Sequence, residues 1–386
     1  MTAAPLNPVL DRLTTYPFVR LGEARARVQA RGVEIVDFGI GEPREATPAF
    51  IRRALADALE PLSAYPSAAG LPALRAAVAA WLARRFGAAL DPDREIVPTF
   101  GSKEAIFLLA NVVEGDLIAA PTPAYPVYER GALLGGKRLL ELPLRPERGF
   151  LPDLDAVDAA TWERVAILWL NYPNNPTGAT APPQLYERAA ALARRHGFVL
   201  ASDEAYSEIY FGAPPASALQ LADRTNVLVF NTLSKRSSMP GYRSGFVAGD
   251  ARLIGALNRY RPNVGVAPQT FVQRAAIAAW QDERHVEDVR AVYRAKREIM
   301  LDAFAAIDVP NVGGDASFFL WLDAGERAEP LAAALLEAGV VLAPGSFFGA
   351  AGAGFLRLAL VPTVEQCERA ASVVRVQGGV QAGPAA

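Results

Sequence analysis

Between about residues 95 and 250, short runs of apolar and β-branched residues alternate with longer stretches whose apolar positions recur at helical spacing. DLIAAP, RVAILWLNYP, FVLASDE and NVLVFNTLS have the length and continuous apolarity of strands buried on both faces. KEAIFLLANVV and PPQLYERAAALARRHG carry the stripe of amphipathic helices. This alternation predicts a mainly parallel sheet with crossover helices, and such sheets bind ligands beyond the carboxyl ends of their strands. From about 268 to 308 the pattern turns long and helical through FVQRAAIAAWQDERHVEDVRAVYRAKREIMLDAFAAI. Then ASFFLWLD, a helix near 328–338, VVLAP, FLRLALV and a last helix near 363–375 predict a small α+β unit. Its companion is the N-terminal segment, whose helix GEARARVQARG and strand EIVDFG are too short to fold alone. The expectation is an α/β chain with a large domain over 45–280, a smaller α+β domain built from 1–44 together with 281–375, and a disordered tail over 376–386.

A length of 386 residues suits two such domains. Hydrophobic residues make up 51% of the chain, yet charged residues interrupt every apolar stretch before the roughly 18 consecutive positions a membrane span needs. The opening MTAAPLNPVLDRL lacks the charged start and apolar run of a signal peptide, so the cytoplasm is the expected compartment. With 39 basic and 41 acidic side chains, the net charge of −2 offers no basic field to draw the chain to nucleic acid. The lone cysteine, Cys367, allows no internal disulfide. His196 and His285 lie far apart and read as surface or capping residues, so no metal centre is expected.

Four polar segments fall where chemistry is expected. In TLSKRSSMPGYRSGF, 232–246, Lys235 follows a strand in a Ser/Gly-rich turn, with Arg243 eight residues later. A lysine forms imines only when its amine loses its proton, which burial and cationic neighbours favour; on a solvated surface it stays charged and inert. In FVLASDEAY, 198–206, Asp203 closes an apolar strand, where a carboxylate can pair with a protonated ring nitrogen. Taken alone it reads equally as a helix N-cap. NYPNNPTG, 171–178, is a turn that also brings Asn175 within reach of a ligand hydroxyl. TFGSKEAI, 99–106, opens a helix with free backbone amides for a phosphate.

NNPTG, SDEAY, SKxxxxPGxR and a late FLRLAL, in this order across nearly the whole chain, resemble the class I/II pyridoxal-phosphate aminotransferases of fold type I. The resemblance implies pyridoxal 5′-phosphate held by Lys235 as a Schiff base, with Asp203 on the pyridine nitrogen and Asn175 and Tyr206 on the ring's phenolic oxygen. It implies a phosphate held by the amides of Ser102 and Lys103 and the side chains of Thr232, Ser234 and Arg243, with Tyr125 stacked on the ring. Arg357 matches the arginine that clamps the substrate α-carboxylate, with Gly41 letting backbone approach the substrate. Tyr65, in SAYPSAAGLPALR, matches a tyrosine that reaches the neighbouring subunit's phosphate, so a homodimer with shared sites is implied. The implied reaction is ping-pong transfer between an amino acid and a 2-oxo acid such as 2-oxoglutarate, with Lys235 as anchor and general base.

Within the family, IGEPREATP, SKRSSMPGYRSGFVAGD and AAWQDERHVEDVRAVYRAKR are similar to succinyldiaminopimelate transaminases of lysine biosynthesis, whereas RPNVGVAPQ departs from them. A distal substrate carboxylate needs a second cation, for which Arg20, Arg44 and Arg261 are candidates by position in loops near matched segments. The cofactor residues do not choose which bond breaks. Transfer from an aromatic, alanine-type or aspartate-type donor, or β-elimination by a lyase, therefore stays open beside the diaminopimelate reading.

Overall fold

The structure, a computed structural model, describes residues 4–13 and 17–381. Its strands begin with β1 (Val36–Asp37), β2 (Ile96–Thr99), β3 (Leu117–Thr122) and β4 (Arg138–Pro143). They continue with β5 (Val165–Asn171), β6 (Val199–Asp203), β7 (Val227–Thr232) and β8 (Gly245–Gly249). Strands β2 to β8 form one seven-stranded sheet in the order β2-β8-β7-β6-β5-β3-β4, in which only β8 runs against its neighbours. The four runs expected as strands are β3, β5, β6 and β7, adjacent in the middle of that sheet.

Their unbroken apolarity follows from cover on both faces. In β5 every residue is buried. Leu168 and Leu170 join one core while Ile167 and Trp169, alternating with them, join the other. Helices Pro72–Phe86 and Pro183–His196 cover the first face, and helices Gly101–Leu109, Val127–Leu134 and Ala251–Tyr260 cover the second.

The central strands end in polar residues at one height. Asn171 of β5 pairs in register with Asp203 of β6, and β7 ends beside them at Thr232. The loops that follow carry Asn175, Tyr206 and Lys235, so the sheet's carboxyl edge brings together segments far apart in sequence.

The remaining strands are β9 (Phe319–Asp323), β10 (Val340–Val341), β11 (Ala343–Pro344) and β12 (Phe355–Ala359). An antiparallel sheet runs β11-β12-β9, and β1 pairs in parallel with β10. A second apolar cluster joins Val36 and Phe38 to residues between Val289 and Val374, and takes in Ala205, Tyr206 and Ile209 as well. Helix Val364–Gln381 continues past the expected stop near 375 and into the segment read as a tail, of which 382–386 lie outside the described residues. No helix of the described residues is long and apolar enough to cross a membrane.

The long helical stretch is two helices, Thr270–Gln281 and Arg284–Ala305. Asp282 breaks it: its backbone is extended, and its carboxylate accepts the His285 amide at 3.0 Å. His285 is correspondingly neither an exposed residue nor a simple cap. It is 6% exposed, with Nδ1 2.6 Å from Asp282 and Nε2 2.9 Å from the Ser237 hydroxyl.

Candidate active site

A cleft of about 470 Å³ opens at the carboxyl edge of the sheet. Gly41, Ser102, Lys103, Tyr125, Asn175, Asp203, Tyr206, Thr232, Ser234, Lys235, Arg243 and Arg357 all line it. Tyr65 does not; its side chain is fully exposed, at 103%. Among the candidates for a distal carboxylate, Arg261 is 0% exposed, pairs with Glu104 at 2.9 Å and donates to the Ala68 carbonyl. Its charge is spent inside the fold. Arg44 faces Asp37 at 4.0 Å and Arg20 lies on the exposed side of helix Pro17–Gln29, and neither lines the cleft.

Lys235 sits in the short helix Leu233–Arg236, begun by the Thr232 hydroxyl accepting the Ser234 amide at 3.1 Å. Its Nζ donates to the Gly41 carbonyl at 2.7 Å. Burial, reinforced by the charges of Arg357 and Arg243, pulls the amine down to about 8 against the opposing pull of Glu42 and Asp203. A useful share of it is therefore neutral near physiological pH. The next two residues fasten this turn: Arg236 reaches Glu283 at 2.8 Å and stacks on Trp280, while Ser237 meets His285.

Asp203 is buried, and burial raises its carboxyl to about 6, opposed by two hydrogen bonds that favour the charged form. One comes from the Ala205 amide at 3.3 Å. The other comes from the Tyr128 hydroxyl at 2.8 Å, a contact no local pattern announced. Asn171 braces the edge by donating to the Asp203 carbonyl at 2.9 Å and accepting the Asn175 amide at 3.0 Å. Burial suppresses the acidity of the Tyr206 hydroxyl.

At the other end of the cleft, helix Gly101–Leu109 begins without a side-chain cap, leaving its first amides available to an anion. Gly101 has φ +71°, and a Cβ there would lie 2.4 Å from Arg243 Nη2, so glycine alone admits the guanidinium to the helix end. Thr232, Ser234 and Lys103 complete a wall of hydroxyls and positive charge. Arg357 also lines the cleft; it is 3% exposed and donates to the Gly39 carbonyl at 2.6 Å and to Asn175 Oδ1 at 3.1 Å. Phe319 and Phe348 each lie 4.5 Å from its guanidinium carbon. The cleft therefore brings two guanidiniums together with an amine and a carboxylate.

Residues 33–374 match the family described as aminotransferase class I and II. The chain belongs to this family. It is 39% identical over 377 residues to the LL-diaminopimelate aminotransferase of Nitratidesulfovibrio vulgaris strain Miyazaki F, a match covering 94% of this chain and 97% of that one. Among solved structures, an aminotransferase from Neisseria meningitidis Z2491 superposes with a TM-score of 0.88 at 39% identity, covering 96% of this chain and 99% of the other. A probable N-succinyldiaminopimelate aminotransferase from Thermus thermophilus gives 0.87 at 33% identity, covering 94% and 100%.

The enzyme uses pyridoxal 5′-phosphate, as its family does. The cleft suits that cofactor on its own evidence: the Gly101 cradle matches a phosphate, the buried Asp203 a cationic ring nitrogen, and the Lys235 amine an aldehyde.

Proposed function

We propose that the enzyme moves the amino group of a diaminopimelate-class amino acid to a 2-oxo acid, with 2-oxoglutarate as acceptor, by a ping-pong mechanism. The observation that carries the transfer chemistry is the Lys235 amine, brought down to about 8 in the same cleft as Asp203 and Arg357. When bound, pyridoxal phosphate supplies an electrophilic carbon for the amino group and an electron-withdrawing ring that acidifies the substrate Cα.

The chain's residues do the rest. Lys235 would anchor the cofactor through its amine, and that same amine, when free, would take the proton from the substrate Cα as general base. Asp203 would hold positive charge on the ring nitrogen, Asn175 and Tyr206 would hydrogen-bond the phenolic oxygen, and Tyr125 would cover the ring. The Ser102 and Lys103 amides, Thr232, Ser234 and Arg243 would hold the phosphate. Arg357 binds the substrate α-carboxylate through its two-pronged guanidinium, and the Gly41 backbone closes over it. Two copies complete each site: the exposed Tyr65 reaches the partner's phosphate, beside Leu59 and Leu62, which are also exposed. Residues 45–280 form the cofactor-binding unit and 1–44 with 281–375 the smaller one.

Two observations bear on the donor. Curated relatives at 36–40% identity are named LL-diaminopimelate aminotransferase, which favours the free diamino acid. The name of the Thermus protein favours the N-succinyl form, the donor that the sequence likeness also implies. The test is a panel of amino donors with 2-oxoglutarate, reading glutamate formed. Turnover of either diaminopimelate form above aromatic amino acids, alanine and aspartate is expected. Inactivity with both, beside good turnover of one of the others, overturns the donor assignment; pyruvate and ammonia from cystathionine without glutamate overturns transfer itself.

A further inference from the structure

Tyr128 lies outside the cleft, yet it makes the closest side-chain contact to Asp203. It is carried on helix Val127–Leu134, is 2% exposed, and stacks on Trp169 with ring centroids 5.2 Å apart and planes 29° from parallel. The stack fixes the ring, and the ring fixes the hydroxyl 2.8 Å from Asp203 Oδ2. Burial first, and then the Asp203 charge, hold the phenol far above its ordinary range, so it remains protonated and can only donate to the carboxylate. Asp203 Oδ1 accepts the longer amide contact from Ala205, at 3.3 Å. Tyr128 thus supplies the shorter of the two hydrogen bonds that favour a charged Asp203, against the burial that disfavours it.

We infer that Tyr128 is a positioning residue for the cofactor: through its hydrogen bond it keeps Asp203 ionised and fixed in orientation, so that the carboxylate selects a cofactor whose ring nitrogen is protonated. This rests on the proposed pairing of Asp203 with that nitrogen. A purely structural Tyr128 would instead steady the pocket without regard to which ring atom faces Asp203.

The two roles separate in the affinities of pyridoxal phosphate and its 1-deaza analogue, in which carbon replaces the ring nitrogen. Both are measured by equilibrium binding to the cofactor-free full chain, wild type, Tyr128→Phe and Asp203→Asn. The ratio of the two affinities cancels any general loosening of the pocket. Wild type is expected to prefer the natural cofactor, Asp203→Asn to lose that preference, and Tyr128→Phe to reduce it by about tenfold, the worth of one hydrogen bond to a charge. If Tyr128→Phe weakens both ligands equally, or neither, while Asp203→Asn abolishes the preference, the Tyr128 inference alone is overturned. If wild type shows no preference, the Asp203 pairing fails and the inference falls with it.

Discussion

Lys235 and Gly41 stand 194 positions apart in sequence, and the lysine's Nζ donates to the glycine's carbonyl at 2.7 Å. The contact ties the turn after β7 to the loop after β1. A Cβ on Gly41 would fall 2.8 Å from two ring carbons of Phe319, so the loop's approach depends on the missing side chain. The buried amine also marks the protein's stability. Its folded-state value of about 8 lies below the ordinary 10.5, so between these values the unfolded chain holds a proton that the folded chain does not. Stability of the cofactor-free protein should therefore rise with pH across that window and be independent of this group below it. Chemical denaturation near the two ends of the window should show the rise in wild type and a smaller one in Lys235→Met. Equal slopes in the two proteins would contradict a buried, depressed amine.

Arg357 presents its fork beside Phe319 and Phe348, held by the Gly39 carbonyl and Asn175. A lysine supplies the charge without the fork. Arg357→Lys should lower kcat/KM for the amino donor by about a hundredfold, chiefly through a raised KM, from the loss of one to two hydrogen bonds to a carboxylate. Steady-state kinetics with the preferred donor check this. Unchanged KM would remove Arg357 from carboxylate binding.

Glu104 belongs to the helix whose first turn faces the cleft, and it pairs with the fully buried Arg261. Glu104→Ala strands that guanidinium, at a cost of about 3–5 kcal/mol. The denaturation midpoint should fall sharply. Arg261→Met, which removes the buried charge itself, should cost less and leave donor preference unchanged. A changed preference would restore Arg261 to the list of residues that read the substrate.

The parts of this site legible in the sequence are those that chain continuity places. Asn175, Asp203 and Lys235 each follow an apolar strand within a few residues, and parallel neighbours put such ends at one edge. Arg357 was legible only through resemblance, because a lone arginine inside FLRLAL has no local signature. Contacts that span the chain leave little local signature. Tyr128 reaches Asp203 across 75 positions, and His285 reaches Ser237 across 48. The tyrosine's one cue was its place three residues after Tyr125 in YPVY. The break at Asp282 was hidden because Gln-Asp-Glu-Arg fits a helix surface as well as a helix start, although an aspartate three residues before His285 is a capping arrangement. Arg261 is a candidate by loop position alone, and loop position says nothing of what an arginine pairs with.

The chain contains four lysines, which makes the central claim open to a single direct measurement. Lys296 pairs with Glu45, Lys137 donates to the Gly115 carbonyl, and Lys103 lines the cleft beside Tyr125. Borohydride reduction of the protein loaded with pyridoxal phosphate, followed by proteolysis and mass spectrometry, shows which lysine holds the cofactor. The added mass is expected on the peptide containing Lys235 and on no other lysine peptide. Label on Lys103, Lys137 or Lys296 with Lys235 unmodified would contradict the assignment.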